Sequence, residues 1–207
     1  MPSTFYSKYI KRFLDFIFSF IGLVILSPIF LVVAIAIKLE SQGPVFFRQE
    51  RLGKDGNIFK ILKFRSMVEN AENLGSGIKI STEEDTRITR VGKFLRKTGL
   101  DELPQLINII RGEMSFIGPR PPVTYHPYLG YDSYPEKYKS RFSVLPGVTG
   151  LAQVEVRNSV PWAERFIYDL EYVSAISFKL DLKLLFRTFG VLNSSEKLYA
   201  RKGRVDD

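Results

Sequence analysis

Three observations predict an α+β fold. Two short β-like runs, 45–50 and 57–64, flank Gly53-Lys54-Asp55-Gly56, a turn composition, and read as paired strands. Segments 88–97, 102–111, 162–173 and 178–192 read as helices, the first two with apolar residues at helical spacing. Residues 13–37 form a 25-residue apolar stretch with one charge, Asp15. With 207 residues, 45% hydrophobic and 25% charged, the chain suits one domain plus an appendage and is too polar for a multi-span membrane protein.

The apolar stretch exceeds the ~7–15 residues of a signal-peptide core, and it runs into Lys38-Leu39-Glu40 without a small-residue cleavage site. It therefore reads as a retained membrane segment. Pro28 has no N–H and its ring opposes the Val24 carbonyl, so a kink is expected at Ser27-Pro28. The Ser27 hydroxyl is placed to bond a carbonyl one turn back. As helices the two halves measure roughly 21–22 Å and about 15 Å, and neither crosses a hydrocarbon core of about 30 Å. Lys8, Lys11 and Arg12 precede the stretch, and Lys38, Arg48, Arg51 and Lys54 follow it, so neither flank is poor in basic residues. Two topologies satisfy these facts: a Pro-kinked span, or a helix–break–helix that dips into the membrane and returns.

Beyond it, 75–81 is small, polar and Gly-containing and reads as a mobile loop. Helix 88–97 sets Ile88, Val91, Phe94 and Leu95 among Arg87, Arg90, Lys93, Arg96 and Lys97. Helix 102–111 turns Leu103, Leu106, Ile107 and Ile110 to one face, with Pro104 in its first turn and Asp101 where an N-cap would sit. Gly118-Pro119-Arg120-Pro121-Pro122 must be extended or looped, and Pro146-Gly147 with Gly150 brackets a tight loop. The resulting division is 1–40, a membrane helix–break–helix; 41–195, a compact basic domain; and 196–207, a tail.

Thirty Lys+Arg against 22 Asp+Glu give a net charge of +8, which suits an anionic partner. The absence of cysteine excludes disulfides, thiol nucleophiles and Cys-ligated metals, and a single histidine, His126, excludes multi-His sites. No Walker loop and no G-x-G-x-x-G occurs. Nucleic-acid binding is disfavoured because the basic residues crowd the membrane segment and no recognition motif is present. Asp101-Glu102 is the acidic pair with the densest basic surround: residues 86–120 hold seven Lys/Arg and three acids. It can cap a helix, or act as a carboxylate that binds Mg²⁺ or attacks phosphorus. Lys63, Arg65, Arg96 and Arg120 can likewise face water and anionic lipid, or bind phosphate. Arg120 is stiffened by its flanking prolines.

Seven motifs in order resemble the bacterial sugar transferases, the monotopic polyprenyl-phosphate phosphoglycosyl transferases. They are Lys11-Arg12-Phe13-Leu14-Asp15, Ser27-Pro28, Gly43-Pro44-Val45-Phe46-Phe47-Arg48-Gln49, Lys63-Phe64-Arg65-Ser66-Met67, Leu100-Asp101-Glu102-Leu103-Pro104-Gln105, Met114-Ser115-Phe116-Ile117-Gly118-Pro119-Arg120-Pro121 and Pro146-Gly147-Val148-Thr149-Gly150-Leu151. The resemblance covers nearly the whole chain and is to the small, minimal form. It implies a re-entrant helix broken at Ser27-Pro28, with both ends on the cytoplasmic face of the bacterial inner membrane and interfacial helices around the catalytic domain. It implies transfer of a sugar-1-phosphate from a UDP-sugar to polyprenyl phosphate, with UMP as by-product, as a first membrane step of surface glycan synthesis. Asp101 is then the nucleophile and a ligand of Mg²⁺, Glu102 assists by placing the acceptor phosphate or as a base, and Lys63, Arg96 and Arg120 bind phosphate.

The alternative is a non-catalytic, membrane-anchored scaffold of a glycan assembly machine. Two positions depart from the family pattern: Leu145, where a basic residue is frequent, and Glu155-Val156-Arg157, where Asn-Gly-Arg is frequent. The motifs do not specify the donor sugar, the glycan pathway or the oligomeric state.

Overall fold

The computed structural model describes residues 5–69, 71, 85–156 and 159–193. The loop expected at 75–81, the tail 196–207 and Arg157 lie outside the described residues. The architecture is α+β: α1 (Lys11–Ile25), α2 (Ser27–Glu40), β1 (Phe46–Leu52), β2 (Ile58–Phe64), α3 (Arg90–Thr98), α4 (Gln105–Arg111), β3 (Ser115–Ile117), α5 (Glu136–Lys139), β4 (Gly147–Thr149), α6 (Leu151–Glu155), α7 (Trp162–Ala175) and α8 (Phe178–Asn193). A π-helical turn, Tyr6–Ile10, leads into α1. β1 and β2 form the expected antiparallel hairpin, with Phe46 opposite Phe64, across a 3₁₀ turn at Lys54–Gly56. Residues 146–150, expected as a tight loop, instead carry β4, which pairs in parallel with β3. The cause is close approach: a Cβ on Gly118, Gly147 or Gly150 would overlap the backbone of the neighbouring segment, so only glycines let these two short strands meet.

The apolar stretch bends by 61° between Tyr6–Ile25 and Ser27–Glu40. Pro28 falls in the first turn of α2, where its missing N–H costs nothing. The Val24 carbonyl it would have served accepts the Ser27 hydroxyl at 2.7 Å. Among the described residues no single helix is long and apolar enough to cross a membrane; the bent pair has that length and composition only when its two helices are counted together. Its inner face packs on the rest of the molecule. Leu23 and Leu26 join a cluster of Phe59, Ile61, Leu106, Ile109 and Met114, while Val33 and Ile37 join Phe64 and Leu95. Its outer face leaves Phe13, Phe18, Val24, Ile25, Leu31 and Val32 each more than half exposed.

The polar residues at the start of α1 point inward as ties, each to a different element. Lys11 Nζ lies 2.6 Å from Asp181 Oδ2 on α8. Arg12 donates to the carbonyls of Ile109 (2.6 Å) and Ile110 (3.0 Å) at the C-terminal end of α4, where a cation is favoured. Asp15 Oδ1 accepts the Phe116 N–H of β3 at 3.2 Å. Lys11 and Arg12 are thus engaged within the protein as well as flanking the apolar stretch. Asp181 also accepts hydrogen bonds from the hydroxyls of Tyr6 and Tyr172, each at 2.7 Å, so a buried charge is fully paired.

Candidate active site

α3 ends at Gly99, whose positive φ of 71° reverses the chain at low cost. A 3₁₀ turn, Leu100–Glu102, follows, and then Pro104 opens α4. Asp101 is therefore not a helix cap: the helix starts at Gln105 and no side chain caps either element. Its carboxylate sits on the turn, half-buried and without a hydrogen bond to another side chain among the described residues. The flanking Leu100 and Leu103 pack in the cluster that contains Val33 and Ile37 of α2, so the turn lies against the bent helix pair.

Lys63, at the end of β2, donates to Glu102 Oε1 at 2.5 Å. Gln105, 2% exposed, bonds the same carboxylate. Arg96 reaches forward from α3 and is held by its Nε donating to Ser66 Oγ at 2.8 Å. This contact is possible because Gly92 lies against the Ser66 backbone, where a Cβ would clash. Arg120 approaches Glu102 from the loop after β3. The fold thus unites Asp101, Glu102, Lys63, Arg96 and Arg120. Ser27 and Pro28 lie apart, at the bend.

The two carboxylates meet opposite electrostatics. Burial pushes the Asp101 carboxyl above the usual aspartate range, and Glu102 adds to this; Lys63 and Arg96 oppose it. Glu102 is also penalised by burial, but Lys63 and Arg120, with hydrogen bonds from Lys63 and Gln105, hold it down to about 2. The same partners therefore favour the ionised form of Glu102. Among the described residues no three His, Cys, Asp or Glu side chains cluster as a metal cage. One free, half-buried carboxylate suits Mg²⁺, which is ordinarily held by one or two carboxylates plus substrate phosphates and water.

Arg65, grouped in the sequence with cations that could face water or lipid, is 6% exposed and donates to the Ser41 carbonyl and hydroxyl at the end of α2. Sequence reasoning also missed the interior amides. The buried face of α4 is Gln105, Leu106, Asn108 and Ile109, rather than one centred on Leu103, Ile107 and Ile110. Asn108 accepts the Leu62 N–H at 2.9 Å and donates to the Lys60 carbonyl at 2.9 Å, riveting α4 to β2 beside Lys63. The available signal was two amides three residues apart in an otherwise apolar segment. Glu155, one of the departures, is ion-paired with Arg187 of α8.

An acidic turn ringed by cations thus sits on an α+β scaffold, with a bent apolar helix pair packed behind it. A family model described as bacterial sugar transferase matches residues 6–195, and the chain belongs to that family. It is 46% identical over 192 residues to a UDP-glucose:undecaprenyl-phosphate glucose-1-phosphate transferase of Klebsiella pneumoniae, covering 89% of this chain and 41% of that protein. It is 41% identical over 203 residues to the exopolysaccharide production protein ExoY of Sinorhizobium fredii, covering 91% and 88%. It is 40% identical over 193 residues to a UDP-N-acetylgalactosamine-undecaprenyl-phosphate N-acetylgalactosaminephosphotransferase of Aeromonas hydrophila, covering 91% and 44%. The chain thus spans about two fifths of the first and third relatives and most of the second.

Proposed function

We propose that this protein transfers a sugar-1-phosphate from a UDP-sugar to polyprenyl phosphate at the cytoplasmic face of the bacterial inner membrane. The observation that carries the reading is the Asp101-Glu102 turn, with Lys63, Arg96 and Arg120 around it and α2 packed behind it. The activities named for the relatives favour it over a non-catalytic scaffold.

An oxygen of Asp101 attacks the β-phosphorus of the donor. The bond from that phosphorus to the bridging oxygen breaks, UMP leaves with that oxygen, and the sugar phosphate stays on Asp101 as an acyl phosphate. A phosphate oxygen of the polyprenyl acceptor then attacks the same phosphorus, releasing polyprenyl-diphosphate-sugar and restoring the carboxylate. The covalent stage lets an aqueous and a lipidic substrate use one site in turn. Three anions meet in this chemistry, so Lys63, Arg96 and Arg120 neutralise charge where it accumulates. Lys63 also keeps Glu102 from repelling the incoming phosphate at full strength. Asp101 would hold Mg²⁺, which when bound supplies further neutralisation of the diphosphate.

The bent pair is a re-entrant anchor in this reading: its exposed apolar face enters the lipid, both ends return to one side, and the packed turn is kept level with the head groups. The test uses donor alone. Wild type is expected to release one equivalent of UMP from one member of a UDP-sugar panel and to retain a trapped phospho-sugar adduct. Asp101→Asn is expected to lower UMP release by about a thousandfold or more. Near-normal UMP release by Asp101→Asn would show that the covalent route is wrong.

A further inference from the structure

The loop that carries Arg120 cannot hold itself. Pro119, Pro121 and Pro122 have no N–H, so three of its four residues lack a backbone donor. Each of its carbonyls is instead held from outside. Pro119 O accepts the Gly147 N–H at 2.9 Å, and Pro122 O accepts the Leu52 N–H at 3.0 Å. The two between them are taken by guanidinium groups. Arg120 O accepts from Arg141 Nη2 at 2.8 Å, and Pro121 O accepts from Arg51 Nη1 at 3.1 Å.

Arg141 is unusual among the cations. It is 2% exposed, it donates through Nε (2.9 Å) and Nη2 (2.7 Å) to Asp169, itself 2% exposed, and it lies 4.8 Å from the ring centroids of both Phe142 and Phe166. A guanidinium with its charge paired and its plane gripped between two rings is a rigid donor. It acts on the backbone of the one residue of this loop whose charge is felt at Glu102.

We propose that Arg141 is a positioning residue for Arg120. Held in place by Asp169 and the two phenylalanines, it fixes the Arg120 backbone so that the Arg120 side chain is already aimed at the donor phosphate when the substrate arrives. Arg51 serves the same loop from the adjacent carbonyl. The inference rests on the phosphate-binding role given to Arg120 above and goes beyond it, because Arg141 touches no substrate and acts through a second residue.

The experiment is a double-mutant cycle in the 207-residue chain, read as donor kcat/KM for UMP release from the UDP-sugar that the panel gives as substrate, with polyprenyl phosphate present as acceptor and thermal melting alongside. Arg141→Lys keeps a cation for Asp169 but cannot serve Asp169 and the Arg120 carbonyl with the same fork. It is expected to lower kcat/KM about tenfold, chiefly through KM, and the loss is expected to shrink below about twofold in an Arg120→Gln background. An equal loss in both backgrounds overturns the positioning role while leaving Arg120 as a phosphate ligand. An Arg120→Gln variant with unchanged kcat/KM removes the premise, and the proposal falls with it. If Arg141→Lys melts below the assay temperature, Arg51→Met carries the same cycle, with an expected loss of about threefold that again vanishes with Arg120→Gln.

Discussion

Asp101 and Glu102 are adjacent, yet one is left free and proton-favouring while the other is clamped as an anion. The difference lies in which cation each receives. Lys63 bonds Glu102 directly at 2.5 Å and reaches Asp101 only through space. Lys63→Met is therefore expected to expose Asp101 to an unneutralised neighbour and to lower UMP release about a hundredfold, measured with donor alone, and also to lower the melting temperature, because Glu102 loses the cation that offsets its burial. At the edge of the described region, Asp85 accepts from the Arg87 amide and from its Nε and Nη2. Arg87 holds the Asp85 carboxyl down to about 2. A depressed folded-state value stabilises the protein above the ordinary aspartate range, and that stabilisation is lost as pH falls through about 2. Asp85→Asn is expected to lower the melting temperature at pH 7, and the gap to wild type should narrow steadily below pH 4.

At the scale of elements, the start of α1 works as a three-way tie. Its Arg12 satisfies two terminal carbonyls of α4, the helix that follows the acidic turn. Arg12→Ala is expected to cost about 1–2 kcal/mol in unfolding free energy, since two charge-assisted bonds at a helix C-terminus are lost. Lys8, exposed beside the Tyr9 ring, is a matched control, and Lys8→Ala should be close to silent. Denaturant titration of the purified protein in detergent measures both. The break at Leu26 has a comparable local logic. Proline removes one donor, serine supplies another to the same carbonyl, and the bend is stable without an unpaired group in an apolar setting.

For the whole molecule, one consequence of the re-entrant reading is topological. The chain has no cysteine, so a single Thr4→Cys reports the side of the N-terminus directly. Labelling by an impermeant maleimide is expected only when the cytoplasmic face is opened. Labelling of intact cells whose outer barrier alone has been permeabilised would restore the Pro-kinked span.

Local chemistry was legible from the residues: the hairpin around Gly53–Gly56, the bend at Ser27-Pro28, the basic α3, and the closing helices α7 and α8 all appear close to where pattern and turn composition put them. These features depend on neighbours along the chain, through backbone donors, φ preferences and period. What only the tertiary structure decided is which charges meet. Lys63 and Glu102 are 39 residues apart, Arg141 and Asp169 are 28 apart, and Lys11 and Asp181 are 170 apart. The interior amides Gln105 and Asn108 became intelligible only once their partners were in place, because a buried polar group is tolerated through bonds to distant segments that no local periodicity encodes.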